Sequence, residues 1–299
     1  MEQKTLKKAF CLSGKGLHTG AMVHTTVKPA TVHTGIRMTR VDLPGKPSCE
    51  ALVEWVTKTS RGTVLENGQW KISTIEHLMS ALYALGVTNA EVEVDAPEVP
   101  ILDGSAKPWV EAIEEAGLEN QGEPAKEWVV TEPVVLHNAK GSRLKILPSE
   151  QYEAEVIVDY GSPILGQQVA TLKDLKTYPS EIASARTFCF LREIKHLLHV
   201  GLIKGGDLQN ALVIYDKKIW QWSMNRLAKK MGQDPVDASK LGYMSPLKYD
   251  NEPARHKLLD LIGDMALLGV RIRGKVVAEK PGHGFNTWCC KEIRKNILK

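Results

Sequence analysis

One pattern limits the fold more than any other: a helix ending in Leu-Gly-Val occurs twice. Aligning Leu85-Gly86-Val87 with Leu268-Gly269-Val270 superimposes two units of helix, glycine, strand, loop and helix, and sets His77 opposite Asp260. In STIEHLMSALYALG, residues Leu78, Ala81, Leu82 and Leu85 fall at i, i+3, i+4 and i+7, an apolar stripe that stops at Gly86. EPARHKLLDLIGDMALLGV carries the second helix. LG steps are common at helix ends, so three matched residues propose a duplication without proving it. If the chain is duplicated, polar groups of two equivalent helices face each other across a domain interface, a favoured place for a site.

A length of 299 residues suits two domains at about 150 residues each. We expect domains at 1–122 and 127–299, separated by the polar stretch GLENQGEPAKE at 117–127, which reads as a linker. Each half mixes strands with two helices, an α+β arrangement. MVHTTVKP, AEVEVDA, YEAEVIVDY and VRIRGKVVAEK alternate as strands do. GSAKPWVEAIEEAG reads as a helix with Ser105 as cap and Gly117 as terminator. SEIASARTFCFLREIKHLLHVG reads as helical with a break near Thr187. Between Tyr215 and Asp250 lies an insertion with seven basic and four acidic residues, whose middle, IWQWSMNRLAKKM, forms a short helix.

Hydrophobic residues at 43% supply a core and exclude overall disorder. A net charge of +4 is too small to announce a nucleic-acid partner. Five cysteines, an odd number with no CxxC pair, suit a reducing compartment better than a disulfide framework. The N-terminus lacks the apolar region of a secretory signal, and no apolar run approaches the roughly 18 residues of a spanning helix. A soluble cytoplasmic protein without stable membrane insertion is expected, and a monomer.

Several polar residues carry chemistry or have a plainer reading. His256 and Asp260, four apart, share one helix face at the spacing of two ligands on one metal ion, and Asp264 extends the stripe with Lys257 beside it. The plainer reading is an amphipathic helix with a solvated face. Glu76-His77 offers a metal ligand beside a carboxylate base; alternatively, Ser73 and Glu76 form a capping box and His77 is a partly buried core histidine. His283, in PGHGFN, is a proton donor or oxyanion partner on a loop that its flanking glycines free to take unusual angles, with Asp264 to orient it, or else a solvated loop residue. Thr187 either donates to a developing oxyanion or bonds its own helix backbone. Two His and one Asp match the donor count of a catalytic zinc site with an open position.

These motifs occur in one order: GLHTG, STIEHL, APEVPILDGSA, ARTFCF, the pair Gly205-Gly206, RHKLLDLIGD and Gly282-His283. Over nearly the whole chain they resemble the UDP-3-O-acyl-N-acetylglucosamine deacetylase family, zinc amidases of lipid A biosynthesis. The resemblance implies two similar α+β domains, each a sheet with two helices, the helices packed together at the interface. It implies one catalytic Zn²⁺ on His77, His256 and Asp260, with Glu76 as general base and His283 as the charged acid partner that Asp264 supports. Thr187 would stabilise the oxyanion, and Lys257, Phe188 and Tyr160 would contact the UDP-linked acylated amino sugar. Leu191, Ile194, Leu202 and Ile203 would help line an acyl passage in a segment inserted in the second domain. The insertion before RHK departs from the family pattern. Pro253 suits a first helical turn, with Asp250 or Glu252 capping it. Some relatives carry a fused dehydratase domain, and none is expected here, because little sequence follows Lys291. A binding module without catalysis and an amidase acting on another acylated amino sugar are the competing readings. For the insertion, a basic and aromatic membrane-surface segment competes with one that packs Trp220 and Trp222 onto the domain.

Overall fold

The alternation in MVHTTVKP builds the strand Met22–Pro29, which buries Val23, Thr25 and Val27 on one face. It belongs to a five-stranded sheet whose strands lie in the order Phe10–Lys15, Met22–Pro29, Ala90–Val94, Ile36–Arg40 and Ser48–Glu50. A second sheet orders Val134–His137, Arg143–Leu147, Lys275–Glu279, Glu153–Asp159 and Gln167–Leu172 in the same way. In both sheets the third and fourth strands run parallel and every other pairing is antiparallel. Identical strand order and polarity establish the repeat that the Leu-Gly-Val alignment suggested. The computed structural model describes residues 1–230, 234 and 237–297.

Seven helices are described: α1 (Glu76–Ala84), α2 (Lys107–Ala116), α3 (Tyr178–Glu181), α4 (Leu191–His199), α5 (Gln221–Lys230), α6 (Glu252–Ala266) and α7 (His283–Asn296). α1 is buried on all sides, which its run of Leu, Met, Ala and Tyr allows. It ends where Gly86 takes φ +80°, and α6 is followed by Gly269 at φ +70°. α1 and α6 pack on each other, and α6 also packs on α7 and the second sheet. Leu78, Leu82, Leu258, Leu261 and Ile262 are buried in this layer, each worth about 1.5–3 kcal/mol. No helix among the described residues is long and apolar enough to cross a membrane, and all five cysteines are free thiols.

Several local readings are corrected. The supposed linker at 117–127 is largely the strand Leu118–Pro124, antiparallel to Glu2–Leu6, and Glu127–Val129 then pairs in parallel with Arg271–Arg273. Two-stranded pairings of this kind satisfy the backbone without an apolar face, so composition hid them. VRIRGKVVAEK divides at Gly274, where a Cβ would lie 2.8 Å from Val130 Cγ2 and 2.9 Å from the Leu147 carbonyl oxygen. The segment read as helical around Thr187 contains a strand, Phe188–Phe190, parallel to Leu212–Tyr215. The aromatic pair at 188 and 190 suits a strand, and sheet pairing prevails over the helical flanks. Helix α5 forms as expected; Met231, the end of its motif, and other parts of the insertion and C-terminus lie outside the described residues.

Candidate metal centre

The two equivalent helices bring their polar residues together. One ligand atom each of His77, from α1, and of His256 and Asp260, from α6, lies within 4.8 Å of the others. His77 Nε2 is 3.9 Å and His256 Nε2 3.4 Å from Asp260 Oδ1. All three side chains are buried, so the solvated-face reading of α6 is overturned. Such closeness of helices requires Gly263: a Cβ there would stand 2.1 Å from the Glu76 carbonyl oxygen.

The donor set fits a metal ion. His256 Nδ1 donates to the Ala185 carbonyl at 3.0 Å, leaving Nε2 as the electron-pair donor toward the cluster. Burial drives the His77 imidazole down to about 3 and lowers His256 as well, so both rings are neutral and able to ligate. Burial alone would raise Asp260, but the charges of Lys257 and His283 hold it ionised, well below the usual carboxylate range. Its Oδ2 accepts from Lys257 Nζ at 2.7 Å, whereas buried Oδ1 has no hydrogen-bond partner. A buried, ionised oxygen without a partner beside two neutral imidazoles is what a cation would satisfy.

Glu76 and His283 flank this cluster. His283 Nε2 is 4.0 Å from Glu76 Oε1 and 3.7 Å from Asp260 Oδ2. Burial pushes the Glu76 carboxyl up to about 7, against the pull of His283. Burial alone would depress His283; Asp264 and Asp260 outweigh it and raise the imidazole to about 9. The capping box is absent: Glu76 Oε2 accepts from the Thr63 backbone N–H at 3.0 Å, and the Ser73 hydroxyl donates to the Pro97 carbonyl. His283 is not on a loop but opens α7, mostly buried; Gly282 before it is extended, so neither flanking glycine supplies an unusual angle. Its Nδ1 donates to Asp264 Oδ2 at 2.9 Å.

Sequence reasoning missed four residues that hold this arrangement. Thr63 donates its hydroxyl hydrogen to Asp264 Oδ1 at 2.6 Å, and His283 Nδ1 lies 3.2 Å from the Thr63 hydroxyl oxygen. Nothing in its loop, RGT, signals this. Gly263 was legible in principle, since an interior helix glycine implies a close packing contact. Arg186 grips Glu252 through Nε at 2.8 Å and a second nitrogen at 3.0 Å, fixing ARTF against the start of α6. Glu252 therefore does not cap the helix as a free side chain. Buried Glu98 accepts from the backbone of His18 and Thr19 and from the Thr74 hydroxyl, tying GLHTG to STIEHL. Against that loop packs Gly205, where a Cβ would meet the Gly16 carbonyl oxygen at 2.3 Å.

A cleft of about 880 Å³ opens over the cluster, lined among others by Thr187, Phe188, Lys257, Arg61, Lys140 and Lys280. The Lys257 ammonium lies 5.5 Å from the Phe188 ring centre. Beside the cleft is a cavity of about 50 Å³ whose walls include Ile194, Leu197, Ile203 and Val213, with Thr187 and Phe188 shared between the two. Leu191 and Leu202 belong to the surrounding apolar cluster but not to that wall. Tyr160 packs edge-on against Phe188 and Phe190, at 5.6 and 5.8 Å; Phe188, not Tyr160, lines the cleft.

The chain is similar to known proteins along nearly its whole length. Residues 3–231 and 235–295 match the family described as UDP-3-O-acyl N-acetylglycosamine deacetylase. The chain is 48% identical to the bifunctional enzyme LpxC/FabZ of Porphyromonas gingivalis, over 99% of this chain and 65% of that protein. It is 47% identical to the bifunctional enzyme of the same name from Bacteroides thetaiotaomicron, over 99% of this chain and 65% of that one. It is also 38% identical to the UDP-3-O-acyl-N-acetylglucosamine deacetylase of Teredinibacter turnerae, over 99% of this chain and 91% of the relative. The chain thus spans about 65% of the length of the two bifunctional relatives.

Proposed function

The chain belongs to the UDP-3-O-acyl-N-acetylglucosamine deacetylase family, and from that premise we propose that it hydrolyses the N-acetyl group of a UDP-linked, 3-O-acylated N-acetylglucosamine. The products are acetate and the free amine, in the service of lipid A biosynthesis. The observation that carries this reading is the buried His77–His256–Asp260 cluster with an unpartnered Asp260 oxygen, flanked by Glu76 and His283. His77, His256 and Asp260 would hold one zinc ion, which would polarise an amide carbonyl and make water a nucleophile near neutral pH.

The chain's own residues supply the proton transfers. Glu76, raised to about 7 by burial, is a base matched to neutral pH and takes a proton from the attacking water. The negative charge that develops on the carbonyl oxygen is met by the Thr187 hydroxyl and by His283; one such donor is typically worth about 2.7–4 kcal/mol. His283, kept protonated by Asp264, gives its proton to the departing amine, which cannot leave as an anion. Lys257 neutralises Asp260 and, with Phe188, faces the substrate. Arg61, Lys140 and Lys280 give the cleft cations suited to a diphosphate, while the cavity at Ile194 and Ile203 suits the start of an acyl chain. Free cysteines fit a cytoplasmic setting.

The test is acetate release from the UDP-linked substrate, before chelation, after chelation and after zinc is restored. Release that vanishes and returns supports the reading. No release from untreated enzyme, or equal turnover of the acylated sugar without its UDP group, overturns it.

A further inference from the structure

Trp220 and Trp222 are 78% and 63% exposed, more than any other large apolar side chain among the described residues. The expectation that they pack onto the domain fails because other residues take that place. Ile219, Met224 and Leu227 enter the apolar cluster that also contains Ile194 and Ile203. The backbone is pinned there: the Ile219 N–H donates to Tyr215 Oη at 2.9 Å, and that hydroxyl donates to the Ala238 carbonyl. With Met224 and Leu227 turned inward, the exposed side of α5 carries Trp222, Arg226 and Lys229 at i, i+4 and i+7. Lys217, Lys218 and Trp220 are exposed just before it.

Residues 217–230 hold five Lys or Arg and no Asp or Glu. Among the described residues, Lys217, Lys218, Arg226 and Lys229 form no ion pair. The one acid at the start of this stretch, Asp216, is buried and paired with Arg192. On the returning segment, exposed Asp237 accepts from the Ser239 backbone N–H.

We infer that this face docks on an anionic lipid surface. Two protruding indoles with surrounding cations match a bilayer interface, where the ring sits at headgroup level and the cations meet anionic lipid. A protein partner anchored by tryptophan needs a well-packed, fully desolvated pocket; a convex helix face with two neighbouring indoles in solvent demands none. The inner face of α5 lies on the cluster around Ile194 and Ile203, so docking brings the apolar cavity close to the lipid. That consequence rests on the proposed function, while the docking itself does not.

The full chain is mixed with phosphatidylcholine vesicles, with and without phosphatidylglycerol, and sedimented. We expect binding to the anionic vesicles alone, release by salt and a blue shift of tryptophan emission. Trp220→Ala with Trp222→Ala should weaken binding at least about tenfold. Lys217→Glu with Arg226→Glu should weaken it at least about twentyfold, since each basic residue contributes roughly fivefold. Circular dichroism and acetate release from soluble substrate stay unchanged in both variants. Wild-type chain that remains in the supernatant with anionic vesicles, or that binds neutral vesicles equally well, overturns the inference. So do variants that sediment like the wild type; capture by an acidic protein without lipid binding counts the same way.

Discussion

Gly263→Ala tests whether the helix crossing sets the metal cluster. On an exposed helix this change would stabilise by about 1 kcal/mol, because alanine is the better helix former. Here the new Cβ stands 2.1 Å from the Glu76 carbonyl oxygen, 2.9 Å from its carbon and 3.1 Å from its Cα. Those are backbone atoms of a buried helix and cannot swing aside. Restoring ordinary separation requires α1 and α6 to part by on the order of 1 Å. Overpacking of a filled core costs about 1–3 kcal/mol, a fall in melting temperature of about 2–12 °C at the usual scaling. The same displacement carries Glu76 and His77 away from His256 and Asp260. A misplacement of about 1 Å near the chemistry costs about a hundredfold in rate. Thermal melts followed by circular dichroism and acetate release on the same samples measure both effects. A variant that melts higher than the wild type and turns over normally would refute the tight crossing and its role.

Glu76→Gln keeps the buried volume but not the base; we expect metal retained and kcat lower by about 10²–10⁴-fold, checked by elemental analysis beside turnover. Thr63→Val keeps the backbone N–H that Glu76 accepts but removes a donor from buried Asp264. Turnover should drop about tenfold and Thr63→Ser should restore it, the cost of an unmade buried hydrogen bond. The stability of metal-free protein should fall as pH rises from 6.5 to 9. His283 is raised to about 9, so its contribution is complete below its ordinary 6.5 and is lost through the folded value. Glu76, raised to about 7, adds to the loss at the lower end of the window, whereas His77 and His256 in the folded chain, both lowered, are neutral throughout it. Melting temperatures across the window should flatten in His283→Gln.

What was legible in the sequence was whatever local periodicity or spacing encodes. The apolar stripes fixed α1 and α6, and the i, i+4 spacing of His256 and Asp260 put both on one face before any coordinates. The match of His77 to Asp260 in the aligned repeats foretold that α1 and α6 would meet. Contacts made by backbone groups or across the chain left no such mark. Leu118–Pro124 is a strand because Glu2–Leu6 lies beside it, not because its own residues favour one. Thr63 reaches Asp264, 201 positions away, from a polar loop. Trp220 and Trp222 misled because apolar residues are presumed to be buried, whereas smaller neighbours had already filled the space beneath them.

On the proposed function, side chains from both halves of the chain bind one metal ion. Zinc content measured by elemental analysis tests it on the wild type, His77→Ala and Asp260→Ala, with folding checked by circular dichroism. One zinc per wild-type chain is expected, and its loss from either folded variant. A full equivalent retained by either variant would contradict it.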